Sequence, residues 1–110
     1  MQISRIFGFQ KEKEFAAELV QQLVKDIYPE QMQKKRNSLS INKITRLLEK
    51  VYSQVKKYQE INAMGFLRRT VFANTFRWEL KNHGYPDDFC AMATEGLVVE
   101  LMKKKPTVKT

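Results

Sequence analysis

The sequence of 110 residues contains one cysteine, Cys90, and no long apolar run. A single cysteine cannot form a disulfide within the chain, and this usage is typical of proteins from a reducing compartment. The uncharged apolar stretches are only a few residues long, whereas a helix needs about 20 apolar residues to cross a bilayer. Residues 1–9 lack the continuous apolar segment and small-residue cleavage site of a signal peptide. We therefore expect a cytoplasmic protein with a retained N-terminus and no transmembrane span.

Motifs for catalysis and for nucleotide binding are also missing. Neither GxGxxG nor GxxxxGK[ST] occurs, so the glycine-rich loops that bind dinucleotides or NTP phosphates are absent from the sequence. One histidine and one cysteine cannot supply the three or four ligands that zinc prefers unless carboxylates are recruited. We expect a non-enzymatic protein with no cofactor, no metal site and no small-molecule ligand.

His83, Asp87 and Cys90 are close in sequence and include the residue types of a thiol, imidazole and carboxylate set. A structural interpretation is simpler for each of them. Asn82-His83-Gly84 is typical of a helix end, and Cys90 is a small apolar residue within a helical pattern. Asp87 and Asp88 favour the positive N-terminal end of a helix. We expect none of these residues to be catalytic.

Apolar residues recur at spacings of three and four along most of the chain, and no alternating polar and apolar run predicts a strand. The expected fold is all-α: a single compact bundle of about four helices that includes residues 1–110. The first helix is predicted from about Gln10 to Ile27, because Tyr28-Pro29 disfavours helix at its end. Residues 1–9 are expected to form an N-terminal strap, residues 30–38 a polar connection, and residues 105–110 a flexible tail.

The second helix is predicted to begin after Ser40, a suitable N-cap, and to continue to about Tyr58 with an apolar arc and a basic arc. Gly65 separates it from the third helix, which we expect at residues 66–82. The helical wheel of this third helix has two apolar arcs, one with Phe66, Phe72, Ala73, Phe76 and Leu80 and the other with Leu67, Val71 and Trp78. These two arcs predict neighbours on two sides and a central position. Trp78 lies on one of these arcs, so we expect Trp78→Ala to destabilise the fold by roughly 3 to 5 kcal/mol.

The last helix is predicted to begin at Pro86-Asp87 and to continue to about Lys104, after a stop at Gly84. Apolar residues surround most of this helix. Such a pattern predicts either deep packing or a dimer interface.

Positive charge is concentrated in the middle of the chain. Residues 31–81 hold twelve of the twenty Lys and Arg residues and three acidic ones, a formal charge of +9 in a chain whose total is +8. A localised basic region predicts an acidic partner, which is either a protein or a nucleic acid. The residues that we expect to contact it lie on the polar sides of the second and third helices: Lys43, Arg46, Lys50, Lys57, Thr70, Asn74, Arg77 and Lys81.

Two classes of function fit these observations. The first is a protein–protein interaction or adaptor module, in which the amphipathic second helix and the apolar last helix dock a partner or form a homo-oligomer. The alternative is nucleic-acid binding, with residues 58–78 arranged as a helix-turn-helix and Gly65 in the turn. A second such arrangement, at residues 72–102, would place Asp88, Glu95 and Glu100 on the reading helix, where phosphates would repel them. We favour the small basic binding protein, with nucleic-acid binding as the alternative.

Overall fold

A computed structural model describes residues 3–34 and 41–103, and the side chains from Phe9 to Met32 and from Ile41 to Lys103. These residues form five α helices and no strand. The helices are α1 (Ile3–Asp26), α2 (Pro29–Lys34), α3 (Ile41–Ile61), α4 (Phe66–Asn82) and α5 (Asp87–Met102). The all-α class predicted from the sequence is confirmed.

The first helix begins earlier than the apolar spacing indicates. It includes residues 3–9, for which a strap was predicted, and it ends before Tyr28-Pro29 as expected. The polar connection contains the short helix α2, whose Met32 is buried in the core. The proposed cap Ser40 and the predicted tail, residues 105–110, lie outside the described residues.

Four of the helices form a ring in which each packs on two neighbours. Helix α1 contacts α4 and α3, and helix α5 also contacts α4 and α3. The most extensive of these interfaces is between α1 and α4, and the second neighbour of α4 is α5. Helices α3 and α4 are consecutive in the chain, but they have no extensive interface and lie at opposite corners of the ring. Their outward sides therefore face in different directions.

The core is one continuous cluster at the centre of this ring. Phe15 of α1 stacks on Tyr58 of α3, with ring centroids 4.3 Å apart, and on Phe72 of α4 at 5.5 Å. These rings connect three helices at one level of the bundle. Phe76 and Leu80 continue the buried side of α4.

The turn between α4 and α5 contains the helix stop predicted at Gly84, whereas Pro86 lies one position before α5 rather than at its first residue. Gly84 has a positive φ of 102°, a conformation that favours glycine. The amide of Gly84 donates to the carbonyl of Lys81, and the amide of Tyr85 donates to the carbonyl of Leu80, as in a Schellman motif. The Tyr85 hydroxyl then donates to the carbonyl of Ile27 at 2.6 Å. This hydrogen bond attaches the turn to Ile27, the residue that follows α1.

One apolar arc predicted on α4 is not buried. Leu67 and Trp78 are 65% and 60% exposed, and Phe66 from the other arc is 72% exposed. The prediction that Trp78 is part of the core is wrong, because α1 and α5 cover only one broad side of α4. The other side of the helix, with its indole, remains in contact with water.

Helix α5 is packed on one side only. Phe89, Ala93 and Leu97 are buried, whereas Val99 and Met102 are 62% and 69% exposed. Thus the helix contributes to the core and also exposes a largely apolar outward side. No helix in the described part of the chain is long and apolar enough to cross a bilayer.

Candidate functional site

The eight residues predicted to contact a partner all have exposed side chains. The structure separates them into two groups, because α3 and α4 occupy opposite corners of the ring. Their spacing along each helix aligns the members of a group on one side of it. The α3 group is Lys43, Arg46, Lys50 and Lys57, and the α4 group is Thr70, Asn74, Arg77 and Lys81.

The packing differs from the arrangement of a helix-turn-helix. In that motif two helices joined by a turn of three or four residues cross at about 90 to 120°, and the second is presented to the major groove. The connection at residues 62–65 is short enough, and Gly65 precedes α4 with an extended backbone. Helix α3, however, packs on α1 and α5 rather than across α4. The geometry therefore gives the helix-turn-helix alternative no support.

The α3 group is a stripe of cations in water. Its members extend over about 21 Å, since fourteen residues separate the first from the last at 1.5 Å each. Arg46, Lys50 and Lys57 form no ion pair with another described residue. The large exposed apolar residues of this helix, Ile41 and Ile61, lie at its two ends. The stripe can attract anions over a distance, but it lacks the apolar anchor that dominates binding energy in protein interfaces.

The α4 group lies among exposed apolar side chains. Residues on its outward side occupy an arc of roughly 120° on the helical wheel. The single carboxylate of α4, Glu79, lies outside this arc, half-buried and 3.8 Å from the His83 ring. We call this arc the α4 face and define it by Phe66, Leu67, Thr70, Asn74, Arg77, Trp78 and Lys81.

Two members of the α4 face already have partners within the molecule. The Thr70 hydroxyl donates to the carbonyl of Phe66 at 3.0 Å, so its proton is engaged by the helix itself. Lys81 lies 3.3 Å from a carboxylate oxygen of Asp87, but both side chains are well exposed. An exposed ion pair of this kind contributes about 1 kcal/mol or less. Lys81 can therefore exchange this partner for another at little cost.

An apolar groove of about 250 Å³ borders the α4 face, between α4 and α5. Phe66, Val98 and Met102 are among the residues that line it. Arg69 contributes the only charged side chain of the groove lining. A groove of this composition accommodates apolar side chains next to a negatively charged group.

Glu12 is the only charged side chain that is buried among the described residues, at 2% exposure. Arg68 lies 3.2 Å from one carboxylate oxygen, and the Tyr58 hydroxyl donates to the other at 3.3 Å. Burial, followed by the charge of Glu12, raises the pKa of Tyr58 to about 12. Both oxygens have protein donors, so the group connects α1, α3 and α4 rather than forming an open site. Glu12 lies four residues before Ala16, on the same side of α1 as the buried residues Ala16 and Leu19. This spacing is the signal in the sequence that indicates burial of Glu12.

The residues of the thiol, imidazole and carboxylate set are not arranged for nucleophilic catalysis. Cys90 is fully buried, and its thiol donates to the carbonyl of Tyr85 at 3.6 Å. Burial raises the pKa of the Cys90 thiol, which opposes formation of a reactive thiolate. The His83 ring donates from Nδ1 to the carbonyl of Glu79 at 2.9 Å. Among the described residues, no three His, Cys, Asp or Glu side chains are grouped so that they could hold a metal ion.

Comparison with protein-family models, with curated proteins and with solved structures finds no match to this chain.

Proposed function

We propose that this chain is a non-enzymatic protein-binding module of the cytoplasm, and that its α4 face docks an acidic amphipathic segment of a partner protein. One observation carries the proposal. Trp78 is 60% exposed, follows Arg77 in the chain and lies about 60° from Lys81 on the helical wheel, on a face without a carboxylate.

The composition of the α4 face supports docking of a protein. Tryptophan and arginine are the residue types most enriched among those that dominate binding energy. A helix that only needs to be solvated has no reason to expose an indole together with Leu67 and Phe66. The apolar members would contact the apolar side of a partner helix, and Arg77 and Lys81 would select carboxylates along its edges.

The α3 group has a different role in this proposal. Its cations have no apolar neighbours along the middle of the helix, so they contribute long-range attraction rather than a docking site. We expect them to increase the association rate with an acidic partner. Their effect on affinity should decrease as salt concentration rises, because screening acts over about 10 Å at 0.1 M salt.

A labelled peptide of about 20 residues, designed as an amphipathic helix with Leu on one side and Glu on the other, tests the proposal. Fluorescence anisotropy should show binding to the full chain. The matched probe has Lys in place of each Glu and should bind much more weakly. Trp78→Ala should reduce affinity for the acidic peptide by about 30-fold, the loss that corresponds to a contact of about 2 kcal/mol.

A control variant and a nucleic-acid probe distinguish this proposal from docking at the α3 group and from nucleic-acid binding. Arg46→Ala on α3 should change affinity by only a few fold, mainly at low salt. Equal binding of the acidic and basic peptides would contradict the proposal. Tighter binding of a single-stranded oligonucleotide than of the acidic peptide, lost in Trp78→Ala, would instead indicate stacking of a base on the indole.

A further inference from the structure

Helices α4 and α5 carry opposite charges. Residues 66–82 include four basic side chains and one acidic side chain. Residues 87–102 include four acidic side chains and no basic one. The two helices are neighbours in the ring, and both expose apolar residues on their outward sides.

The outward side of α5 is an acidic and apolar surface. Asp87 and Asp88 in the first turn are accounted for by the helix dipole. Glu95 is exposed in the middle of the helix, where the dipole provides no reason for a carboxylate. We call this surface the α5 face and define it by Asp88, Met92, Glu95, Val98, Val99 and Met102.

We propose that the partner of the α4 face is the α5 face of a second copy of this chain, in a two-fold symmetric dimer. This inference rests on the proposed function, because it uses the α4 face as the docking surface. Charge complementarity selects this occupant. An arrangement of α4 on α4 would place cations against cations, and an arrangement of α5 on α5 would place Glu95 near other carboxylates.

The internal register of α4 and α5 shows how the two copies fit. Within one molecule the helices are antiparallel: Phe66 and Met102 line the groove at one end, and Lys81 pairs with Asp87 at the other. When two such helix pairs stack about a two-fold axis along the groove, each α4 lies on α5 of the other copy in the same register.

In that register apolar residues face apolar residues, and cations face carboxylates. Phe66 lies opposite Met102 of the second copy, and Trp78 lies near Met92 of the second copy. Arg77 is within one helical turn of Glu95 of the second copy, and Lys81 lies near its Asp88. The outward side of α3 is left uncovered, so the dimer presents two cationic stripes.

Sedimentation velocity on the full chain, over a series of concentrations, tests the inference. The unsubstituted chain should dimerise, and Val99→Asp should raise the dissociation constant of the dimer at least about ten-fold, because it places an unpaired carboxylate in an apolar contact. Ile41→Asp is the matched control: Ile41 is 78% exposed, compared with 62% for Val99, and it lies outside both faces. It should change the dissociation constant by less than about two-fold. Circular dichroism of each variant verifies that the fold is retained.

Exchange of two charges tests whether α4 of one copy lies on α5 of the other. Arg77→Glu and Glu95→Lys should each weaken the dimer by a few fold, and the double variant should recover much of the loss. A dimer that Val99→Asp disrupts and Arg77→Glu leaves unchanged would overturn the inference, since α5 would then pair with another surface. A dimer insensitive to both variants would overturn it as well.

Failure of the dimer and failure of the docking proposal give different results. A chain that stays monomeric at all concentrations but binds the acidic peptide overturns the dimer alone. If the acidic peptide does not bind the monomeric Val99→Asp variant, the α4 face is not an acidic docking site and the proposed function fails with it.

Discussion

The hydroxyl of Tyr52 on α3 donates a hydrogen bond of 2.7 Å to the carbonyl of Ala93 on α5. The same ring lies directly on Gly96, three residues further along α5. A methyl group added at Gly96 would be 2.7 Å from Cζ and 2.9 Å from Cε2 of Tyr52, closer than carbon atoms approach in folded proteins. Glycine at this position therefore allows α3 to pack on α5, and the hydrogen bond fixes where it does so.

Gly96→Ala should destabilise the protein, although alanine normally stabilises a helix interior by about 1 kcal/mol relative to glycine. The added methyl group must displace the Tyr52 ring and break its hydrogen bond to Ala93. Overpacking of this kind costs about 1 to 3 kcal/mol. Over most of this range the cost is larger than the gain in helix propensity. Urea unfolding measures the difference.

The control for Gly96→Ala is the same substitution in a Tyr52→Leu background. Without the ring, the methyl group has space, and alanine should become neutral or stabilising. The two substitutions should therefore be coupled in a double-mutant cycle. Stabilisation by Gly96→Ala in the unsubstituted chain would show that Tyr52 does not occupy the space above the glycine.

Tyr52→Phe should change how stability depends on alkaline pH. Burial raises the pKa of Tyr52 to about 12, whereas a tyrosine in the unfolded chain ionises near 10. The folded state holds the proton more tightly, so this contribution to stability is complete below pH 10 and is lost as pH rises from about 10 to 12. The phenylalanine variant should be less stable by about 0.5 to 1.5 kcal/mol near neutral pH, since it lacks the hydrogen bond to Ala93. Between pH 10 and 12 its stability should fall less steeply, as measured by urea unfolding at several pH values; an identical slope would contradict the prediction.

Arg68→Gln should destabilise the bundle more than Arg69→Gln does. Arg68 lies 3.2 Å from the buried carboxylate of Glu12, and its loss leaves that oxygen without its charged donor. The expected cost is about 1 to 3 kcal/mol. Arg69 is the next residue and forms no ion pair with a described residue, so it controls for the loss of a guanidinium from α4. Equal effects of the two variants in thermal unfolding would mean that the contact with Glu12 has no special role.

The sequence correctly predicts the buried side of a helix that has a single apolar arc. On α3 the spacing of Leu48, Val51 and Val55 identifies the buried side, and all three are buried. At Gly84 the local chemistry of a helix stop is sufficient, because only a few adjacent backbone groups are involved. These features depend on residues that are close in the chain.

The errors concern features that depend on distant parts of the chain. A helical wheel shows that α4 has two apolar arcs, but it does not show how many neighbours are available to cover them. The ring supplies α1 and α5 on one broad side, so Trp78 is exposed. For the same reason the wheel could not show that the α3 and α4 groups face different directions. The sequence does not predict the contacts of Glu12, because its hydrogen-bond donors, Arg68 and Tyr58, are more than forty residues away in the chain.

Trp78→Ala should have little effect on folding, in contrast to the effect expected from its apolar arc. The indole is 60% exposed, so its removal should cost about 1 kcal/mol or less. Phe76→Ala, two residues earlier on the same helix, removes a fully buried ring and should cost about 3 to 5 kcal/mol. Urea unfolding should be measured at a low protein concentration, so that dissociation of the proposed dimer does not add to either value.

Fluorescence provides an independent measurement, because Trp78 is the only tryptophan in the chain. At low concentration acrylamide should quench its emission almost as efficiently as that of free tryptophan. As concentration rises and the α5 face of a second copy covers the indole, quenching should decrease in the unsubstituted chain and stay constant in Val99→Asp. Weak quenching at every concentration, together with a large loss of stability in Trp78→Ala, would place the indole inside the bundle and remove the anchor of the α4 face.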